Sequence, residues 1–299
     1  GEFEKPRFFQ YKASVCAHGR NQTQGCNACV DVCSASAISG DLKRQQIKVN
    51  PHLCVGCGAC TTVCPTGALT YAYPRVDDQG QRIKTLLQTY ARAGGKQAVL
   101  LLHSQDAGTA LINDLGRAAA LTQPQPKPVA SGIARFLGAQ APAAADEAGT
   151  IRGLPARVLP LALWHAASLG LEVWLSALAQ GASQVWVLMT GAEAPQYRDA
   201  VRAQMAVAQG IMTGLGYSGQ HLQLIEVRDA RDLAALDATL AASAAQTVGK
   251  PATFVAQPDK RATLELALDH LVAQAPSRPE AIALPAAASP LGAVALDKE

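Results

Sequence analysis

The side chains whose types and spacing could do chemistry are eight cysteines, all placed before Val76 in a chain of 299 residues. Four of them stand in "CVGCGACTTVCP", where Cys54, Cys57, Cys60 and Cys64 form a C-x2-C-x2-C-x3-C-P run. Gaps of two residues bring successive thiolates to the corners of one small inorganic core. The fourth, one residue further on, points away from the other three. The chain supplies a second run, because Cys26, Cys29 and Cys33 repeat the C-x2-C-x3-C part. "GCNACVDVCSASAI" (residues 25–38) lies over "GCGACTTVCPTGAL" (residues 56–69), matching in a glycine, the three cysteines, two alanines and a valine. Thr23 stands where Cys54 stands in the second copy, and the spare cysteine, Cys16, is displaced upstream by "AHGRNQT". Ser34 stands where the second copy has Pro65.

Residues 8–73 resemble a bacterial dicluster ferredoxin domain, and the resemblance implies two [4Fe–4S] cubanes with crossed ligands. Cluster A would take Cys16, Cys26, Cys29 and Cys64, with Cys16 replacing the ligand missing at Thr23. Cluster B would take Cys54, Cys57, Cys60 and Cys33, which leaves no cysteine over. Zinc is also held by C-x2-C pairs, but it does not need three cysteines at steps of three followed by a fourth and a proline. A disulfide framework fits less well, since cysteines two residues apart pair poorly and this is not a small secreted domain. A cubane held by four thiolates has no open coordination site, so it exchanges electrons without binding a substrate. The small residues Gly56, Gly58, Ala59 and Ala28 let backbone amides approach the inorganic sulfides. His18 and Arg20, in the insert beside Cys16, are candidates for hydrogen bonds to cluster A or for contact with a partner, with plain surface exposure as the alternative.

The elements that position these cysteines are short. "QQIKVN" before Cys54 and "ALTYAY" after Cys64 read as strands that form small ribbons beside the clusters. "RIKTLLQTYARAGG" reads as a helix with Ile83, Leu86, Leu87 and Tyr90 on one face, ended by Gly94 and Gly95. From there the pattern alternates. "QAVLLLHS", "ARVLPLA", "QVWVLM" and "LQLIEV" read as buried strands. Between and after them, "AGTALINDLGRAAA" (with Asp106 as its cap), "ASLGLEVWLSALAQG", "YRDAVRAQMAVAQGIMTGLG" and "ARDLAALDATLAASA" read as helices. A Pro/Ala/Gly-rich stretch over 121–150 reads as a long surface connection with a helix near "SGIARFLGA". The expected fold is therefore an α+β dicluster ferredoxin-like domain (4–80), then an α/β domain with a parallel, Rossmann-like sheet (81–245). A C-terminal helix, "PDKRATLELALDHLVAQAP", and a strand complete the chain (246–299).

Residues 154–227 are similar to the delta-subunit family of methyl-viologen-reducing hydrogenases, on "EVWLSALAQGASQVWVLMTG" followed by the long "YRDAV" helix. That family carries cysteines for an iron–sulfur centre here. This chain has Ala192 after Gly191 and no cysteine anywhere in the domain. The resemblance thus implies a redox-silent scaffold that keeps a docking role between electron-transfer subunits. The final "GAVALDKE" matches the register of "QIKVNPHLC", which leads to the expectation that another ferredoxin domain follows in a longer, polyferredoxin-like protein.

The remaining composition excludes several classes. With 26 Lys+Arg against 23 Asp+Glu and no basic stripe, nucleic-acid binding has little support. No stretch is long and apolar enough to span a bilayer, and "VLPLALWHAASLGLEVWL" is interrupted by Pro160, His165 and Glu172. No signal peptide is visible; the opening "GEF" lacks Met and reads as a cloning remnant. Reduced thiolates suit the cytoplasm. His165 reads as structural, and Trp164, Trp174 and Trp186 as core or interface. No G-x-G-x-x-G opens a helix after a strand, and no nucleophile triad or carboxylate pair stands out. The expectation is an electron-transfer iron–sulfur subunit without substrate chemistry of its own. It relays single electrons within or to a larger oxidoreductase, of the formate dehydrogenase or hydrogenase type by family analogy. The alternative is a flavin- or substrate-binding oxidoreductase whose active site lies in the α/β domain.

Overall fold

The structure, a computed structural model, describes residues 5–20, 23–122, 150–228, 232–286 and 288–291. The N-terminal region is built from short antiparallel pairs and two one-turn helices. Strand β1 (Phe9–Tyr11) pairs with β6 (Leu69–Tyr71), which ties the two ends of the region together. Strands β2 (Gly19–Arg20) and β3 (Thr23–Gln24) close the insert after Cys16, and β4 (Ile38–Asp41) forms a hairpin with β5 (Gln46–Val49). Helix α1 (Ala28–Asp31) carries Cys29, and α2 (Ala59–Thr62) carries Cys60. A small core of Phe9, Ile38, Ile47, Ala68 and Leu69 surrounds Cys29 and Cys64.

Helix α3 (Val76–Arg92) starts six residues earlier than its hydrophobic pattern predicts, with Asp77 and Asp78 in its first turn favouring the positive end of its dipole. The four strands β7 (Val99–Ser104), β8 (Val158–Leu163), β9 (Gln184–Thr190) and β10 (Leu222–Val227) form one parallel sheet in the order β10-β9-β7-β8. Strand alternation sends successive side chains to opposite faces. Leu100, Leu102, Val185 and Val187 join one core with α3, α5 (Leu171–Ala179), α6 (Pro195–Gly214) and α8 (Lys260–Ala273). Val99, Leu101, Trp186 and Leu188 face the other way, against α4 (Ala107–Thr122) and α7 (Leu233–Leu240). Both faces are thus covered, as the continuous apolar strands require.

Two expectations shift in detail. The helix read from residue 167 begins only at Leu171, because Gly170 holds extended backbone and a short 3-10 turn, Ala166–Ser168, precedes it. The Gly108 amide at the start of α4 donates to Ser104 Oγ at 2.9 Å, a position nearer the strand than Asp106. The helix expected near "SGIARFLGA" and the strand expected at "GAVALDKE" lie outside the described residues. Among the described residues, no helix is long and apolar enough to cross a membrane.

The N-terminal region does not end at its own core. Val32 and Ala59 belong to the same buried cluster as Ala166, Ala167, Leu169 and Tyr197. The 3-10 turn packs on α2, and a side chain at Gly58 would lie 2.9 Å from Ser168 Cβ. Polar groups complete the junction: Gln204 Nε2 donates to Thr62 Oγ1 at 3.2 Å. The Lys260 ammonium donates to the carbonyls of Thr61 and Thr62, at the negative end of α2, and faces Glu172 Oε2 at 3.6 Å.

Candidate metal centres

The cysteine loops need small residues for specific reasons. Gly56 and Gly58 both hold positive φ, +72° and +75°, which L side chains rarely adopt. A Cβ on Gly56 would also stand 2.6 Å from the Phe8 ring. Each one-turn helix then ends at a valine, Val32 or Val63, and the next residue is the last cysteine of its run, Cys33 or Cys64. Cys33 accepts from the Ala37 amide at 3.3 Å, and Cys64 Sγ lies 3.7 Å from Thr66 Oγ1.

The eight cysteines are all free thiols and line two neighbouring cavities. The first is lined by Cys33, Cys54, Cys57 and Cys60, with Phe8, Tyr71 and Tyr197 among its walls. The second is lined by Cys16, Cys26, Cys29 and Cys64, with Tyr11 and His18 among its walls. Leu69 lines both. In each cavity three cysteines come from one stretch and one from the other, except that Cys16 comes from before the first run.

Burial disfavours the thiolate form at three of these cysteines. Burial pushes the Cys29 thiol up to about 12, with the thiolates of Cys64, Cys26 and Cys16 adding to the shift. Burial likewise raises Cys57, and Cys60 further, the neighbouring cysteines again adding. Four thiolates crowded into apolar walls are unstable alone. Coordinated metal deprotonates such thiols outright and neutralises the charge. Among the described residues, no three Cys, His, Asp or Glu side chains converge on a single-ion site. Tetrahedral zinc, with Zn–S near ~2.3 Å, needs such convergence. Four cysteines line each cavity, the number of thiolates that a cubane iron–sulfur core takes.

Several other residues resolve. His18 is 2% exposed, so it is not a surface residue; its Nδ1 donates to the Cys26 carbonyl at 3.0 Å. The side chain of Arg20 lies outside the described residues. His165 accepts from the Ala167 amide at 3.1 Å, capping the 3-10 turn, and its ring stands edge-on to Tyr197 at 5.0 Å. Trp174 and Trp186 are core residues, whereas Trp164 is half exposed and stacks on Phe8.

Sequence reasoning missed Tyr197 and Lys260. Tyr197, in the first turn of α6, lines the first cavity together with Cys57, and its hydroxyl is 2.5 Å from Ser34 Oγ. The one local signal was Ser34, where the internal repeat breaks.

Comparison with known proteins bears on the N-terminal region. No curated protein and no solved structure matches the chain. Residues 24–68 match the family model described as a 4Fe-4S dicluster domain. That span holds seven of the eight cysteines, and Cys16 precedes it. The chain therefore contains a 4Fe-4S dicluster domain, and its cofactors are [4Fe–4S] clusters.

Proposed function

We propose that this chain relays single electrons through two clusters, one held by Cys16, Cys26, Cys29 and Cys64 and the other by Cys33, Cys54, Cys57 and Cys60. The observation that carries the reading is the gathering of those two sets of four thiols around two cavities that share Leu69 as a wall. [4Fe–4S] clusters, when bound, supply reversible one-electron redox chemistry. The chain's own residues fix the thiols, exclude water and place polar hydrogens near sulfur. Phe8, Phe9, Ile38, Ile47 and Leu69 keep the surroundings dry. The exchange of Cys33 and Cys64 between the two runs ties the cavities into one body, which limits rearrangement when charge arrives.

The sheet order supports a docking role for the α/β domain. Counted from β7, it runs 2-1-3-4, as in doubly wound, Rossmann-like sheets. Such sheets take ligands beyond the strand ends where the order reverses, here between β7 and β9. The turn Ala166–Ser168 packs on both those strands and on α2, so this position faces the dicluster domain. An α/β scaffold that seats the clusters within a larger cytoplasmic oxidoreductase, of the formate dehydrogenase or hydrogenase type, accounts for that contact better than a flavin site does.

The test is anaerobic purification with metal analysis and potentiometry followed by electron paramagnetic resonance. The expected result is close to eight irons per chain and two reversible one-electron couples. Colourless protein containing zinc, or clusters that cannot be reduced without unfolding, would refute the relay.

A further inference from the structure

Tyr197 is 4% exposed and forms part of the wall around Cys33, Cys54, Cys57 and Cys60, although it belongs to the α/β domain. Its single hydroxyl is 2.5 Å from Ser34 Oγ, and its side chain lines the same cavity as Cys57. Which way the hydrogens run follows from chemistry. A metal-bound thiolate only accepts, so a phenol hydroxyl that meets a ligand sulfur in this cavity must donate to it. With its one hydrogen spent on sulfur, the Tyr197 oxygen accepts from Ser34 in the short contact. The edge-on ring of His165 at 5.0 Å supports the orientation of the phenol.

We propose that Tyr197, oriented by Ser34, donates a hydrogen bond to Cys57 Sγ and raises the reduction potential of that cluster. This rests on the assignment of Cys33, Cys54, Cys57 and Cys60 to one cluster. The reduced cluster carries one more negative charge than the oxidised one. A hydrogen bond to a ligand sulfur therefore stabilises the reduced form more. Apolar walls screen little, which enlarges the effect. In the second cavity the position matching Ser34 is Pro65, which lines that cavity and carries no hydroxyl. The break in the internal repeat is thus where the α/β domain reaches the metal centre. Ser34 is a positioning residue, and Tyr197 makes the seating of α6 legible as a potential.

The experiment uses the full chain, prepared without air, in three forms: unsubstituted, Tyr197→Phe and Ser34→Ala. Potentiometric titration followed by electron paramagnetic resonance is run on each, alongside iron analysis. With iron content unchanged, Tyr197→Phe is expected to shift one couple to lower potential and leave the other in place. Ser34→Ala is expected to move the same couple the same way by less. Repeating Tyr197→Phe in a Cys16→Ser chain, where the other cluster is degraded, should preserve the shift. If Tyr197→Phe loses iron, Ser34→Ala decides. Two unmoved couples at full iron content, or two couples that move equally, overturn the proposal and leave the relay standing. Fewer than two couples in the unsubstituted chain overturns both.

Discussion

Cys16 is the residue on which the ligand assignment turns. It lies outside the span matched by the dicluster family model, yet it shares a cavity with Cys26, Cys29 and Cys64. Cys16→Ser is expected to lose that cluster, or to leave it as a three-iron form, while the other survives intact. Iron content and spin quantitation check this, and an unchanged eight-iron protein would remove Cys16 from the ligand set. A second residue-scale expectation concerns protonation. His221 is fully buried, donates from Nε2 to the Gln246 carbonyl at 3.0 Å, and is pushed below its ordinary value by burial. His103, 4% exposed, is lowered for the same reason. A folded value below the unfolded one means that the unfolded chain binds the proton more readily. The stability these neutral rings permit is present above pH ~6.5 and is lost as pH falls below it. Nuclear magnetic resonance titration of the two imidazoles should give midpoints below 6.5, and a midpoint at or above that value for either ring contradicts the burial account.

At the scale of elements, α7 secures the chain on its return at residues 152–153. Asp237, 5% exposed, accepts from the amides of Arg152 and Gly153 at 2.9 and 2.8 Å and from Arg152 Nε at 3.1 Å. Hydrogen bonds to a charged group contribute about 1.5–3 kcal/mol, so Asp237→Ala should cost about that much. The readout is a lower denaturant midpoint with unchanged iron content; a loss under half a kilocalorie would show that the segment is held elsewhere. The sequence made the sheet strands legible because β7 and β9 are continuous apolar runs between glycines and polar residues. It made β5 legible, but not β1 or β4, since three or four residues such as "FQY" and "ISGD" carry too little alternation to signal a strand. The cysteine pattern was readable because cluster ligation is mostly local in sequence. Tyr197 and Lys260 were not, because they meet the dicluster region only after more than a hundred residues of chain have folded back, and no local pattern records such a meeting.

For the whole molecule, the junction between the two regions is itself a core. Lys260 and Glu172, with side chains 7% and 6% exposed, form a buried ion pair whose ammonium also holds the carbonyls that end α2. Removing one partner of such a pair costs about 3–5 kcal/mol, because the other charge stays buried. Lys260→Ala should therefore lower the unfolding midpoint of the chain sharply. The double change Lys260→Met with Glu172→Leu should recover most of the loss, since apolar replacements satisfy the space without stranding a charge. Calorimetry of the three proteins checks this, and a double variant as weak as the single one would mean that α2 depends on the ammonium itself.

Leu69, the side chain common to both cavities and 1% exposed, carries a consequence for timing. On the proposed two-cluster relay, a hydrocarbon side chain common to both walls leaves no hydration shell there to rearrange as charge crosses. Exchange inside the pair should then outrun any encounter with an outside protein. A visiting partner would meet a single store, already levelled, holding up to two electrons.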